Sequence, residues 1–399
     1  MILTPFIRFT SALALLAALG GCATAPHLLV PPGHGSGDLG VVIERETGTL
    51  GILDTSARQR LGSVEGLGDL SHASVVYGRD GAQAYVFGRD GALTKVNLLT
   101  GRIEARVQQA GNSIGGAIST DGTLVVAQNY QPGGIKVFDA ATLKLLADIP
   151  AVVDGKPSRV VGLADIPRNR FIYSLFDAGQ IWIADLADPA KPVLTKFADI
   201  GKQPYDALVT PDGRYYIAGL FGEDGLVKID LWAAQPKAER ILPGYGRGEE
   251  RLPVFKMPHL RGWAVAGRRM FLPAIGHHEV LVVDMDTWQE VGRIPVAGQP
   301  VFVIARPDGR QVWVNFAVPD YDTVQVIDTQ TLQIVHSLKP GKAVLHMEFT
   351  PRGEAVWISS RDAGHISVID TQNFQTLAVL PAQSPSGIFF SSRAGRTGF

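Results

Sequence analysis

One pattern recurs eight times along the chain and leaves few folds open to it. A turn of the Pro-Asp-Gly kind is followed by a short apolar strand, a gap, a second strand that closes on Asp or Asn, and a last strand. The closing residues are Asp54, Asn97, Asp139, Asp185, Asp230, Asp284, Asp328 and Asp370, at intervals of 43, 42, 46, 45, 54, 44 and 42 residues. A period in the low forties, four alternating strands per unit and no helical periodicity predict propeller blades. A lone four-stranded sheet has two faces to bury, and an open stack leaves its first and last edges exposed, so the ring must close. The first unit has only three strands, at residues 41–44, 50–54 and 61–64, and lacks the innermost one. Residues 386–390, Ser-Gly-Ile-Phe-Phe, fit the gap. The expected fold is therefore all-β, an eight-bladed β-propeller whose ring is closed by N- and C-terminal strands in one blade. Seven blades with a stray segment fits the count less well.

The N-terminus reads as an address. Arg8 precedes an apolar run at residues 12–19, too short to span a bilayer as a mature helix, which predicts a signal peptide over residues 1–21. The run stops at Leu19-Gly20-Gly21-Cys22, the pattern of a bacterial lipobox, and predicts a lipid on Cys22; a soluble export signal cut nearby is the alternative. Ala23 follows where an aspartate would favour the inner membrane, so the expected location is the periplasmic face of the outer membrane, held by the lipid alone. Residues 22–36 read as a flexible lipidated linker, 37–391 as the propeller and 392–399 as a tail.

Cys22 is the only cysteine, which excludes an intrachain disulfide, a Cys-x-x-Cys-His haem attachment site and any cluster held by several thiolates. Of the 37 basic residues only Arg8 falls in residues 1–21, which leaves 36 against 38 acidic ones. A chain so close to neutral does not predict a nucleic-acid partner.

In a propeller the loops leading into the inner strands share one mouth with the loops joining second and third strands. Aligning the repeats places His72, Ser113, Arg159, Pro204, His259 and Pro300 in the first set, with His346 a little deeper. The second set carries Arg45, Arg89, Asp90, Tyr130, Asp177, Phe221, Glu223, His277-His278, Phe316 and Arg361-Asp362. Imidazole ligates iron axially, guanidinium pairs bidentately with carboxylates, and aromatic rings pack on a flat face, so this mouth suits a macrocycle bearing carboxylates. Any one of these histidines more often fixes a loop than binds a ligand; the weight lies on their convergence. The interval of 54 marks an insertion, residues 243–261, that carries Arg251, His259 and Arg261 to the same mouth as a cover or partner contact, with neutral surface decoration as the alternative. The loop at 154–159 adds Asp154 and Arg159, or is a plain surface turn. His277 and His278 are adjacent on a strand, point to opposite sides and do not chelate one ion. No Gly-x-Ser-x-Gly, P-loop or dinucleotide fingerprint sits on a strand-turn-helix frame.

Two stretches carry a family resemblance. The first is Ser71-His72, the turn at Gly81, and Gly88-Arg89-Asp90 ahead of the strand closing at Asn97; the second is Pro258-His259 followed by residues 269–271 and 280–284. In these the chain resembles the propeller that holds d1 haem in cytochrome cd1 nitrite reductase, and more closely the haem d1 biosynthesis proteins built on the same propeller. The resemblance implies haem d1 or a late precursor as the ligand, with its iron on His72 as axial ligand and His259 on the distal side. It implies Arg89, Arg159 and Arg251 or Arg261 as carboxylate partners, and Tyr130 against the ring. Asp154, Asp90 or Glu223 would then accept a proton in a late tailoring or dehydrogenation step. Implied partners are cytochrome cd1 nitrite reductase and other d1-haem assembly proteins. Two departures argue against nitrite reduction itself: there is no c-type haem domain, and no imidazole near residues 220–223, where the family's other distal histidine would fall. A non-catalytic carrier or scaffold that delivers the macrocycle to nitrite reductase, and a propeller with no small ligand, remain the competing readings.

Overall fold

The computed structural model describes residues 1, 28–31, 34–245, 263–274 and 277–398. Cys22, the leader, Arg251, His259 and Arg261 lie outside the described residues.

Eight four-stranded antiparallel sheets follow one another along the chain. The third strand of every sheet ends on the Asp or Asn that spaced the repeat, from Thr49–Asp54 in the first to His365–Asp370 in the eighth. The reason is local: the carboxylate or amide oxygen accepts backbone N–H groups two and three residues ahead and forms the turn into the outer strand. Asp328 takes the amides of Gln330 and Thr331, and Asn97 those of Leu99 and Thr100.

Pro385–Phe390 is the inner strand of the first blade, paired with Leu39–Glu44 in the register Gly40↔Phe390, Val41↔Phe389 and Val42↔Ile388. The expected closure by both chain ends is what the chain does. Each blade packs both faces on its neighbours, so the core is a ring of apolar seams: Val41, Ile43, Val75 and Val86 fill the first, and Val42, Leu53, Trp357, Ile388 and Phe390 the closing one.

Part of the segment expected to be a spacer lies against this ring. Leu29 donates its amide to the Leu99 carbonyl, Val30 is buried in the first seam, and His34 Nε2 pairs with Asp54 at 2.8 Å. Residues 391–398 also have a structural place. After the short 3-10 helix Ser391–Gly395 they cross the end of the channel opposite the mouth. The Arg79 guanidinium donates to the carbonyls of Ala394 and Arg396 and to Asp165, Asp165 accepts the Gly398 amide, and Arg393 pairs with Glu348. The channel is thus a cup with a floor.

Candidate functional site

Six of the inner strands slip register with their neighbour near the mouth end: around Ile114, Gly162-Leu163, Tyr205-Asp206, Val301-Phe302, Leu345 and Ser386-Gly387. A β-bulge of this kind turns side chains out of strict alternation and frees backbone groups. Side chains of the second strands satisfy them: Asn315 accepts the Phe302 amide and donates to the Val344 carbonyl, Ser359 bonds both backbone groups of His346, and the Tyr216 hydroxyl donates to the Gly162 carbonyl. Gly162 sits at φ 63° with the Tyr205 carbonyl oxygen 2.8 Å from where a Cβ would stand, so no other residue fits there.

These bulges wall a cavity of about 340 Å³ in the channel. Its wall is mainly apolar, with Val75, Ile114, Leu163, Phe302, Phe316, Val344 and Phe389; among the described residues its titratable groups are His72, His346, Tyr205, Asp206, Tyr321, Arg45, Arg361 and, at the floor, Arg393, beside the neutral polar Ser74, Gln128, Asn315 and Ser386. His72 is half-buried in the turn ahead of Ser74–Tyr77 and lines the cavity, as the repeat alignment expected. His346 is also in the wall, deeper, its Nδ1 accepting the Ile388 amide and its ring edge-on to Phe302.

Arg45 and Arg361 stand at the cavity's edge on the first and eighth blades. Burial, with the neighbouring charge of Arg361, holds the Arg45 guanidinium below its usual range, against the opposing charge of Asp69. A second charged group forms the rim. The guanidiniums of Arg89 and Arg159 lie 5.9 and 6.0 Å from the centre of the Tyr130 ring, and Arg159 is 4.3 Å from that of Phe176. Tyr130 meets Tyr205 hydroxyl to hydroxyl at 3.3 Å, and Phe176, Tyr205 and Phe221 pack as an aromatic cluster that leads into the cavity. The structure therefore brings together Arg89, Tyr130 and Arg159. Arg159 is also held by Asp177, whose carboxylate that pairing keeps below the usual range.

The three expected proton acceptors fall elsewhere. Asp154 is exposed at the tip of a hairpin between Val152–Val153 and Lys156–Pro157. Asp90 accepts the Ala92 amide in its own turn and pairs with Arg106 at 3.6 Å. Glu223 accepts the Lys202 amide and pairs with Arg240 at 2.7 Å, contacts that hold its carboxyl low and make it a weak base. Among the described residues, the carboxylate that lines the cavity is Asp206, 5% exposed. Alternation along Pro204–Val209 gives no sign of it, because the bulge that presents it is not written in hydrophobic pattern. His277 and His278 are exposed loop residues.

Residues 34–394 match the family described as cytochrome D1 heme domain. The chain is 59% identical over 390 residues to Protein NirF of Stutzerimonas stutzeri, covering 96% of this chain and 98% of that one. It is 58% identical over 387 residues to Protein NirF of Pseudomonas aeruginosa, covering 96% and 97%. The dihydro-heme d1 dehydrogenase of Pseudomonas aeruginosa is 30% identical over 326 residues, covering 79% of this chain and 64% of that one. Among solved structures, dihydro-heme d1 dehydrogenase NirN in complex with DHE superposes with a TM-score of 0.79 at 26% identity, covering 94% of this chain and 79% of that one. AztD from Citrobacter koseri, at 12% identity and a TM-score of 0.63 over 88% of this chain, shares the fold alone. By its match over residues 34–394 and its identity to these relatives over nearly the whole chain, with the eight blades the fold shows, the chain belongs to the cytochrome d1 haem domain family and, within it, to the NirF proteins.

Proposed function

We propose that the protein acts in haem d1 biosynthesis, as an exported lipoprotein that binds a late d1-haem precursor, such as dihydro-haem d1, in the central cavity. The observation that carries this reading is the cup itself. It is a mainly apolar hollow whose polar groups include two imidazoles, a pair of arginines at one edge and a tyrosine with a carboxylate at the other. A flat, carboxylate-bearing tetrapyrrole meets each of these: the apolar wall takes the ring faces, His72 the iron, and Arg45 with Arg361 a carboxylate. Arg89, Arg159 and Tyr130 guard the opening. When bound, the macrocycle's iron would supply redox capacity, with His72 the residue that would hold it; the residues of this chain bind, orient and exclude water. Residues 1–21 serve as the export signal and Cys22 as the lipid site, placing the cup at the periplasmic membrane surface. There it meets cytochrome cd1 nitrite reductase and the other d1-haem assembly proteins.

Within this reading the protein is either an agent of a late tailoring step or a carrier that delivers the macrocycle. Incubating purified protein with dihydro-haem d1 and following the absorption spectrum separates them. A shifted spectrum that then converts over time marks catalysis, a shift that stays constant marks a carrier, and no shift contradicts both.

A further inference from the structure

We propose that Asp206 is the proton acceptor of the cavity, taking a carbon-bound proton from the edge of a bound tetrapyrrole whose carboxylate rests on Arg45 and Arg361. The inference rests on the macrocycle-binding reading above and deepens it. Three observations lead to it. First, among the described residues that the six bulges turn into the channel, Asp206 alone carries a charge; the others are Ile, Gly, Leu, Tyr, Val, Phe and Ser. The bulge of the fifth blade thus presents a carboxylate to the channel where the other five present none.

Second, the ring order sets Asp206 across the cup from the cations. It stands on the fifth blade, and Arg45 stands on the first, half a turn away among eight; Arg361 is next to it on the eighth. A ligand anchored by a carboxylate on that arginine pair presents its opposite edge to Tyr205 and Asp206. Third, a pair of phenols links the acid's bulge to the rim. Tyr205 precedes Asp206 on the same bulge and meets Tyr130 hydroxyl to hydroxyl at 3.3 Å. Both hydroxyls are pushed up first by burial, with the Asp206 charge adding to the effect, so they stay protonated and can pass a proton outward, Tyr205 towards Tyr130.

The step balances without an oxidant. The carbon–hydrogen bond breaks with its electron pair left on the ring, where conjugation spreads it, and the proton passes to the Asp206 carboxylate. Return of a solvent proton along the same route regenerates the starting compound, so in heavy water the step writes deuterium into the ligand.

The test uses the full chain, Asp206→Asn and Asp206→Glu, each loaded with dihydro-haem d1 in deuterated buffer. Binding is read from the absorption shift, and deuterium from the mass of the extracted macrocycle, over that of free macrocycle. The parent is expected to bind and exchange. Asp206→Asn, close to isosteric, is expected to keep its spectral shift with exchange slowed by about 100-fold or more, and Asp206→Glu to recover part of the rate. Equal exchange in parent and Asp206→Asn overturns the proposal, as does a parent that binds without exchanging. Loss of the spectral shift in Asp206→Asn overturns it in favour of a binding role. A parent with no spectral shift removes the macrocycle reading itself, and this inference with it.

Discussion

Phe390→Ala tests whether the C-terminal strand closes the ring. Phe390 is 1% exposed, its ring packed edge-on to Trp357 at 5.6 Å with the planes at 85°. It sits in the seam between the last blade and the first, against Val42, Leu53 and Ile388, and paired with Gly40. Removing a buried phenyl ring costs about 3–5 kcal/mol, from lost transfer energy and from the cavity left behind. The upper half of that range, about 4–5 kcal/mol, applies here, because the walls are strands tied on both sides and cannot collapse inward. With an unfolding entropy near 2.1 cal/mol/K per residue over roughly 350 propeller residues, that cost lowers Tm by about 5–7 °C. Scanning calorimetry on the parent, Phe390→Ala and Val193→Ala, the last at a 66% exposed outer-strand position, gives the comparison. The control is expected within about 1 °C of the parent. If Phe390→Ala also melts within about 1 °C of the parent, the closing strand is not the clasp described here. A chain cut before Pro385 loses the whole strand and exposes two edges, and is expected not to fold as a monomer.

Arg361→Ala removes half of the carboxylate anchor and is expected to weaken dihydro-haem d1 binding by about 10- to 150-fold, the worth of a charged hydrogen bond, read by spectral titration. The His34 ring, raised by its hydrogen bond to Asp54, is expected to titrate in NMR with a midpoint above 6.5 and to return towards that value in Asp54→Asn. Because the folded value is the higher one, the contact's contribution is full below about pH 6.5 and is lost as pH rises through the raised midpoint, seen as a fall in the amide protection factors of Leu39–Glu44 that Asp54→Asn does not show. Cys22→Ala is expected to move the protein from the membrane to the soluble periplasmic fraction, checked by fractionation and blotting.

The blades were legible because their signals are local. An aspartate that forms its own turn must be written at the turn, so its spacing counts sheets directly, and the missing strand of the first blade pointed to the other end of the chain. The mouth was legible for the same reason: His72, Arg89, Tyr130 and Arg159 sit in loops whose place follows from the blade order. What each loop residue does there was not. Asp90 and Glu223 are used by their own loops, through Arg106 and Arg240 on neighbouring outer strands, a pairing no spacing reveals. Asp206 escaped because a bulge breaks the alternation by which inward-facing residues are read. The residues after Phe390 look like a loose end in sequence, and only the folded ring shows Arg79 and Asp165 waiting to hold them as a floor.

The most direct test of the cup as a tetrapyrrole site is a spectral titration of the parent and His72→Ala with dihydro-haem d1. The account predicts a Soret shift that saturates at one macrocycle per chain in the parent and is lost in His72→Ala. A parent spectrum that does not move, or a titration identical in the two proteins, contradicts it.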